Sequence, residues 1–143
     1  MNLRDVLVLK DKRGFTLIEL LVVMLILGLL AALVAPRMFN KVGKSKQSAA
    51  RAQIELLGQA LEQFKIDTGR FPSTEEGLDA LQKNPGADGW DGPYLKKSVP
   101  SDPWKRPYHY VFPGNHGDYD LYSFGADGAE GGEGENKDIR SWE

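Results

Sequence analysis

The densest concentration of side chains able to do chemistry lies near the C-terminal end. Between Phe124 and Ile139, Asp127, Glu130, Glu133, Glu135 and Asp138 are interleaved with Gly125, Gly128, Gly131, Gly132 and Gly134. Hard cations such as calcium take six to eight oxygens at flexible geometry, from carboxylates and backbone carbonyls together, and this composition offers both. Zinc is a poor match, because the chain has no cysteine and its two histidines, His109 and His116, stand apart without zinc spacing. The EF-hand pattern also fails, since Ala129 and Gly131 fall where that pattern wants Asp or Asn. Composition therefore leaves two readings open, a calcium loop and a solvated acidic loop. Enzyme chemistry is not expected. Neither histidine has a sequence-evident partner to position it, and the tail glycines lack the strand-to-helix context and the lysine of a phosphate cradle.

The second chemically distinctive residue is Glu19. From Phe15 to Ala35 the only polar side chains are Thr16 and Glu19, and roughly 20 helical residues cross a bilayer core. A carboxylate inside hydrocarbon costs about 2.5 to 3.5 kcal/mol on insertion scales, so Glu19 needs a partner. No cation lies within the apolar run. The partner must come from another molecule or from a new chain end. Cleavage between Gly14 and Phe15 would create an amine with a reference pKa near 8, close in sequence to Glu19. On staggered neighbouring helices these two groups can neutralise each other in an apolar interior, where charge pairing is strongest.

The elements that must position these groups follow in chain order. Met1 to Gly14 is a charged processing leader without an apolar face of its own. An ordinary secretory cleavage site after the apolar run is disfavoured, because Leu33 occupies the position where a small residue is wanted and Pro36 follows Ala35. Pro36 removes a helical donor and predicts a bend between Met24 and Pro36. Beyond it Ala50, Ile54, Leu57, Leu61 and Phe64 recur at three- and four-residue spacings, which reads as the core-facing stripe of a continuing amphipathic helix, stopped near Asp67-Thr68-Gly69. Ser73 and Glu76 have capping-box spacing and predict a short helix carrying Leu78 and Leu81, ended by Asn84-Pro85-Gly86. Ala87 to Pro107 reads as an ordered loop packed by Trp90, Tyr94, Leu95 and Trp104. Tyr108 to Phe112 and Tyr119 to Phe124 alternate as two short strands of an antiparallel hairpin, with room for a third strand.

Net charge is -2 over 143 residues, but its distribution says more. Arg37, Lys41, Lys44, Lys46 and Arg51 follow the apolar segment with no intervening acid, a pattern suited to phospholipid headgroups. Asp118 to Glu143 holds eight acids against Lys137 and Arg140, which argues against nucleic acid there. Charge does not settle orientation, because Arg4, Lys10, Lys12 and Arg13 precede the apolar run. A domain this small is near the lower limit for a sufficient core and wants a staple. With no cysteine, bound metal is the available substitute.

Arg13-Gly14-Phe15-Thr16-Leu17-Ile18-Glu19 ahead of an apolar helix resembles the class III signal of type IV pilins and pseudopilins. Phe71-Pro72 with Gly77-Leu78, Asp102-Pro103-Trp104, and Ser123-Phe124-Gly125-Ala126-Asp127-Gly128 with the later Asp138-Ile139 and Trp142 extend the likeness to the major pseudopilins of type II secretion systems. The resemblance implies an α+β fold, a long N-terminal helix packed on a small antiparallel sheet. It divides the chain into a leader over 1–14, a transmembrane and filament-core helix over 15–36, and a periplasmic domain over 37–143 with a metal loop at 124–139. It implies cleavage after Gly14 by a prepilin peptidase, N-methylation of Phe15, and assembly through Glu19. It further implies calcium held by the Phe124 carbonyl, Asp127 and Asp138. Lys137 stands where some members carry an acid, so a carbonyl or side chain around Gly132 to Glu135 is expected to compensate, with Glu135 as the candidate side chain. The implied product is a helical homopolymer in the inner membrane and periplasm, working with minor pseudopilins and an inner-membrane assembly platform to export folded proteins. The alternatives are a type IV pilin for adhesion, motility or DNA uptake, which usually carries a cysteine pair absent here, and a single-pass anchored binding protein that keeps its leader.

Overall fold

Proline and glycine are the residues that could end the long apolar and amphipathic pattern, and of Pro36 and Gly69 only the glycine does so. In the computed structural model, which describes residues 14–143, helix α1 runs from Leu17 to Thr68 with Pro36 inside it. The hydrogen-bonded helix thus continues past the proline. It stops at Gly69, whose φ of 78° and N–H bond to the Lys65 carbonyl at 2.8 Å form a left-handed C-cap. The expected leader falls on residues 1–13, outside the described residues, and on Gly14.

The described chain divides at Met38 and Phe39 into two units. In the first, α1 carries an 18-residue window of mean hydropathy 3.0 with none of it buried in the protein, long and apolar enough to cross a membrane. In the second, α1 buries Gly43, Ala50, Ile54, Leu57, Ala60, Leu61 and Phe64. The predicted stripe is therefore the core-facing one. Around it close Phe71, Leu78, Leu81, Leu95, Tyr108, Tyr110, Leu121 and Ile139.

Strands β1 (His109–Val111), β2 (Asp120–Ser123) and β3 (Ile139–Arg140) form one antiparallel sheet in the order β1-β2-β3. His109 faces Tyr122, which faces Arg140, fixing one cross-strand row. The third strand foreseen as optional is present, and it is what returns the acidic loop to β2. Side-chain alternation explains the register: Tyr110 and Leu121 point to the core while His109 and Tyr122 lie on the other face.

The capping box closes as predicted, with the Ser73 N–H donating to Glu76 and the Glu76 N–H donating to the Ser73 hydroxyl. The helix it should start is shorter and later, a four-residue 3-10 turn over Leu78–Leu81. Gly77, at φ 61°, breaks the path between the box and that turn. In the loop that follows, the Trp90 indole donates to the Ala80 carbonyl at 2.8 Å, and Tyr94 packs edge-on against both Trp90 and Phe64. The expected aromatic packing of this loop is what ties it to α1.

Candidate functional site

At the start of α1 the residues expected to act in processing are exposed, Phe15 at 84%. Thr16 and Glu19 form a reciprocal box. The Thr16 N–H donates to Glu19 Oε2 at 3.0 Å, and the Glu19 N–H donates to the Thr16 hydroxyl at 3.2 Å. This satisfies two amides that a helix start otherwise leaves open. It also answers part of the question raised by a carboxylate in an apolar run. One oxygen of Glu19 is held by its own helix end, while the other makes no hydrogen bond among the described residues. Sequence reading missed Thr16, although Thr-x-x-Glu ahead of an apolar run is the signature of such a box.

The C-terminal loop is built from β2 outward. Asp102, buried, accepts the N–H groups of Trp104 and Arg106 at 3.0 and 2.9 Å and the Ser123 hydroxyl at 2.7 Å. Ser123 in turn accepts the Gly125 N–H at 3.2 Å. Arg106 Nη1 donates to the carbonyls of Gly125 and Ala126 at 3.2 and 3.0 Å. Asp102 and Arg106 thus hold the loop's entry, and neither was singled out for it. The Asp-Pro-Trp sequence, an Asx-type turn, was the available signal. Gly125, at φ 74°, leaves room for the Glu135 and Lys137 carbonyls, which a Cβ there would meet at 2.9 and 2.7 Å.

The four expected metal ligands are placed as follows. Phe124 is half-buried beside His109 and Tyr122. Asp127 is exposed and accepts the Ala129 N–H at 3.1 Å. Asp138 is 4% exposed; its Oδ2 accepts from the Gly131 N–H at 3.0 Å and from Arg140 at 3.1 Å. Its Oδ1 is buried with no hydrogen-bond partner. Glu135 lies elsewhere, its carboxylate against Gly43 of α1. Among the described residues no three His, Asp or Glu side chains converge to hold a metal. A cation here would therefore rely on the orphaned Asp138 oxygen and on carbonyls more than on a carboxylate cage. A buried carboxylate oxygen without a donor costs free energy unless a donor or a cation meets it, so Asp138 Oδ1 is the one buried ligand atom among the described residues with a coordination position open to a hard cation.

Around the loop, the cross-strand row continues as an aromatic ridge. His109 stacks on Tyr122 with ring centroids 5.1 Å apart, and His116 stacks on Trp142 at 4.1 Å. His116 also pairs with Asp120 at 3.0 Å. Burial alone would raise the Asp120 pKa, but the His116 bond and the Asn115 and His116 N–H groups together leave it below its usual value. His109 is thus engaged in stacking, and His116 in both stacking and pairing.

Residues 37–142 match the family described as type II secretion system (T2SS), protein G, and residues 9–35 match the prokaryotic N-terminal methylation motif. A type II secretion system core protein G from Pseudomonas aeruginosa is 46% identical over 140 residues, covering 94% of this chain and 97% of the relative. Another from Vibrio cholerae is 41% identical over 138 residues, covering 94% of each. The solved major pseudopilin of the type 2 secretion system of enterohaemorrhagic Escherichia coli superposes with a TM-score of 0.60 at 31% identity, over 73% of this chain and 92% of that one.

Proposed function

The chain belongs to the type II secretion system protein G family, and from that premise we propose that it is the major structural subunit of a secretion pseudopilus. The precursor is held in the inner membrane by α1, cleaved between Gly14 and Phe15 by a prepilin peptidase, and methylated on the new Phe15 amine. It then polymerises into a helical filament with its C-terminal domain in the periplasm. Minor pseudopilins and an inner-membrane assembly platform are its working partners, and lengthening of the filament drives folded proteins across the outer membrane.

One observation carries the assembly step: the Thr16–Glu19 box at the head of an apolar helix. It holds the carboxylate at the helix end with one oxygen engaged, and the second oxygen, without a hydrogen bond among the described residues, would meet a neighbour's terminal amine. Charge pairing in that water-poor setting is worth far more than the same pair in water. The family match favours a secretion subunit over a type IV pilin for adhesion or DNA uptake.

The C-terminal loop completes the subunit by binding calcium. Asp138, Asp127 and the Phe124 carbonyl would hold the ion, with Glu135 joining only if its side chain leaves Gly43. Bound calcium supplies the positive charge that Asp138 Oδ1 lacks and fastens the loop to the end of β2.

Mass spectrometry of the protein isolated from a secreting cell tests the processing step; an N-terminal methylated Phe15 is expected, and a retained leader would refute it. Glu19→Gln is expected to leave the processed protein in the membrane, monomeric and inactive in secretion. Filaments and export at wild-type level in that variant would remove the assembly role.

A further inference from the structure

The loop also meets α1, at Gly43 and Gln47. Gly43 is buried although its neighbours Val42, Lys44, Ser45 and Lys46 are exposed. What buries it is Glu135, whose side chain crosses the glycine so closely that a Cβ would collide with its Cγ, Cδ and Oε1. One turn further along α1, the Gln47 amide donates to the Gly134 carbonyl. Residues 43 and 47 lie on the same helix face, and they extend the buried stripe of Ala50 and Ile54. Glycine is a poor residue for a helix interior. Here it leaves the clearance that Glu135 occupies.

The other side of the same turn is fastened as well. The Ala126 N–H donates to the Glu135 carbonyl at 2.9 Å, and Arg106 holds the Gly125 and Ala126 carbonyls. The 3-10 turn Gly134–Asn136 is therefore clamped between α1 and the start of the loop. Asp127 follows one clamp point directly, and Asp138 follows the turn by two residues. The two aspartates therefore flank the clamped turn.

We propose that Gly43 and Gln47 form a docking socket on α1 for the C-terminal turn, which couples the shape of the cation loop to the order of α1 around residues 40–50. The coupling rests on the calcium reading above; the docking itself does not. A cation that prefers the docked loop shifts the equilibrium toward docking, and docking raises cation affinity by the same factor. Ordering of the loop and ordering of this stretch of helix become one event.

Hydrogen exchange on the full chain in detergent separates the two claims, using Gly43→Ala. Without a socket, alanine is the better helix former and exchange around residue 43 should slow. With the socket, the added methyl displaces Glu135, and the amides of 133–137 and 40–50 should exchange faster even with chelator present. Glu135→Ala in the Gly43→Ala background removes the collision and should restore slow exchange in 40–50, which a general folding defect would not allow. Slower or unchanged exchange in Gly43→Ala would overturn the socket. Calcium is then titrated into the wild type and Gly43→Ala. Slowed exchange over both segments in the wild type, with a calcium midpoint raised about tenfold in the variant, is the expected coupling. A wild type that does not respond to calcium would sink the calcium reading while leaving the chelator result to decide the socket. Equal midpoints would remove the coupling.

Discussion

Glu76 shows how much one side chain can organise. It accepts the Ser73 N–H of the capping box and both guanidinium nitrogens of Arg70 at 2.8 Å. The Arg70 bond, opposed by partial burial and helped by the Ser73 N–H, holds its carboxyl below the usual value of 4.5. A carboxylate whose folded pKa is depressed stabilises the fold fully above its unfolded pKa and loses that contribution as pH falls through the folded value. Glu76→Gln should therefore lower stability at pH 7 and show a flatter loss below pH about 4.5, read from denaturation midpoints across that range. Equal acid slopes for wild type and variant would show that the pair contributes nothing. Asp138 poses the opposite case, a buried oxygen with no hydrogen-bond partner among the described residues.

At the scale of elements, α1 does two kinds of work with one backbone. Its Leu17–Met38 part carries apolar side chains that are exposed in the protein, Leu17 at 81% and Leu33 at 72%. Its later part presents a stripe whose central members, Leu57, Leu61 and Phe64, are fully buried. Truncating such a residue removes both transfer energy and packing, at a cost of about 2 to 5 kcal/mol for Leu to Ala. Leu61→Ala should lower the unfolding free energy of the domain by that amount, measured by urea denaturation. A loss under 1 kcal/mol would mean the site collapses around the gap, contrary to a core closed by Leu81 and Leu121. The sheet cannot compensate, because its strands have only three, four and two residues; the domain depends on its helix.

At the scale of the molecule, a chain without cysteines closes its C-terminal end through Asp102, Arg106, Ser123 and the socket on α1. Binding a cation to the folded loop alone would stabilise the whole domain by mass action, about 2.7 kcal/mol at a concentration one hundred times Kd. Chelation should accordingly lower the melting temperature of the full chain, and Asp127→Ala should erase the difference between calcium and chelator. Identical melting curves for the wild type under both conditions would mean that the loop is held by its hydrogen bonds without an ion.

Much of this was legible in the residues themselves, because it is local. The apolar run to Ala35, the stripe from Ala50 to Phe64, the Ser73–Glu76 box and the glycine stop at Gly69 all follow from spacing and backbone preference within a few residues. The N-terminal methylation motif over residues 9–35 is likewise a string. What only the tertiary structure decided are the meetings of distant segments. Glu135 lies on Gly43, Arg106 on Gly125 and Ala126, Asp102 on Ser123, and Asp138 is left with one oxygen unmet. Each joins residues separated by a fold-back whose path depends on how the core packs, and composition alone could not say which acid of a glycine-rich tail would turn inward.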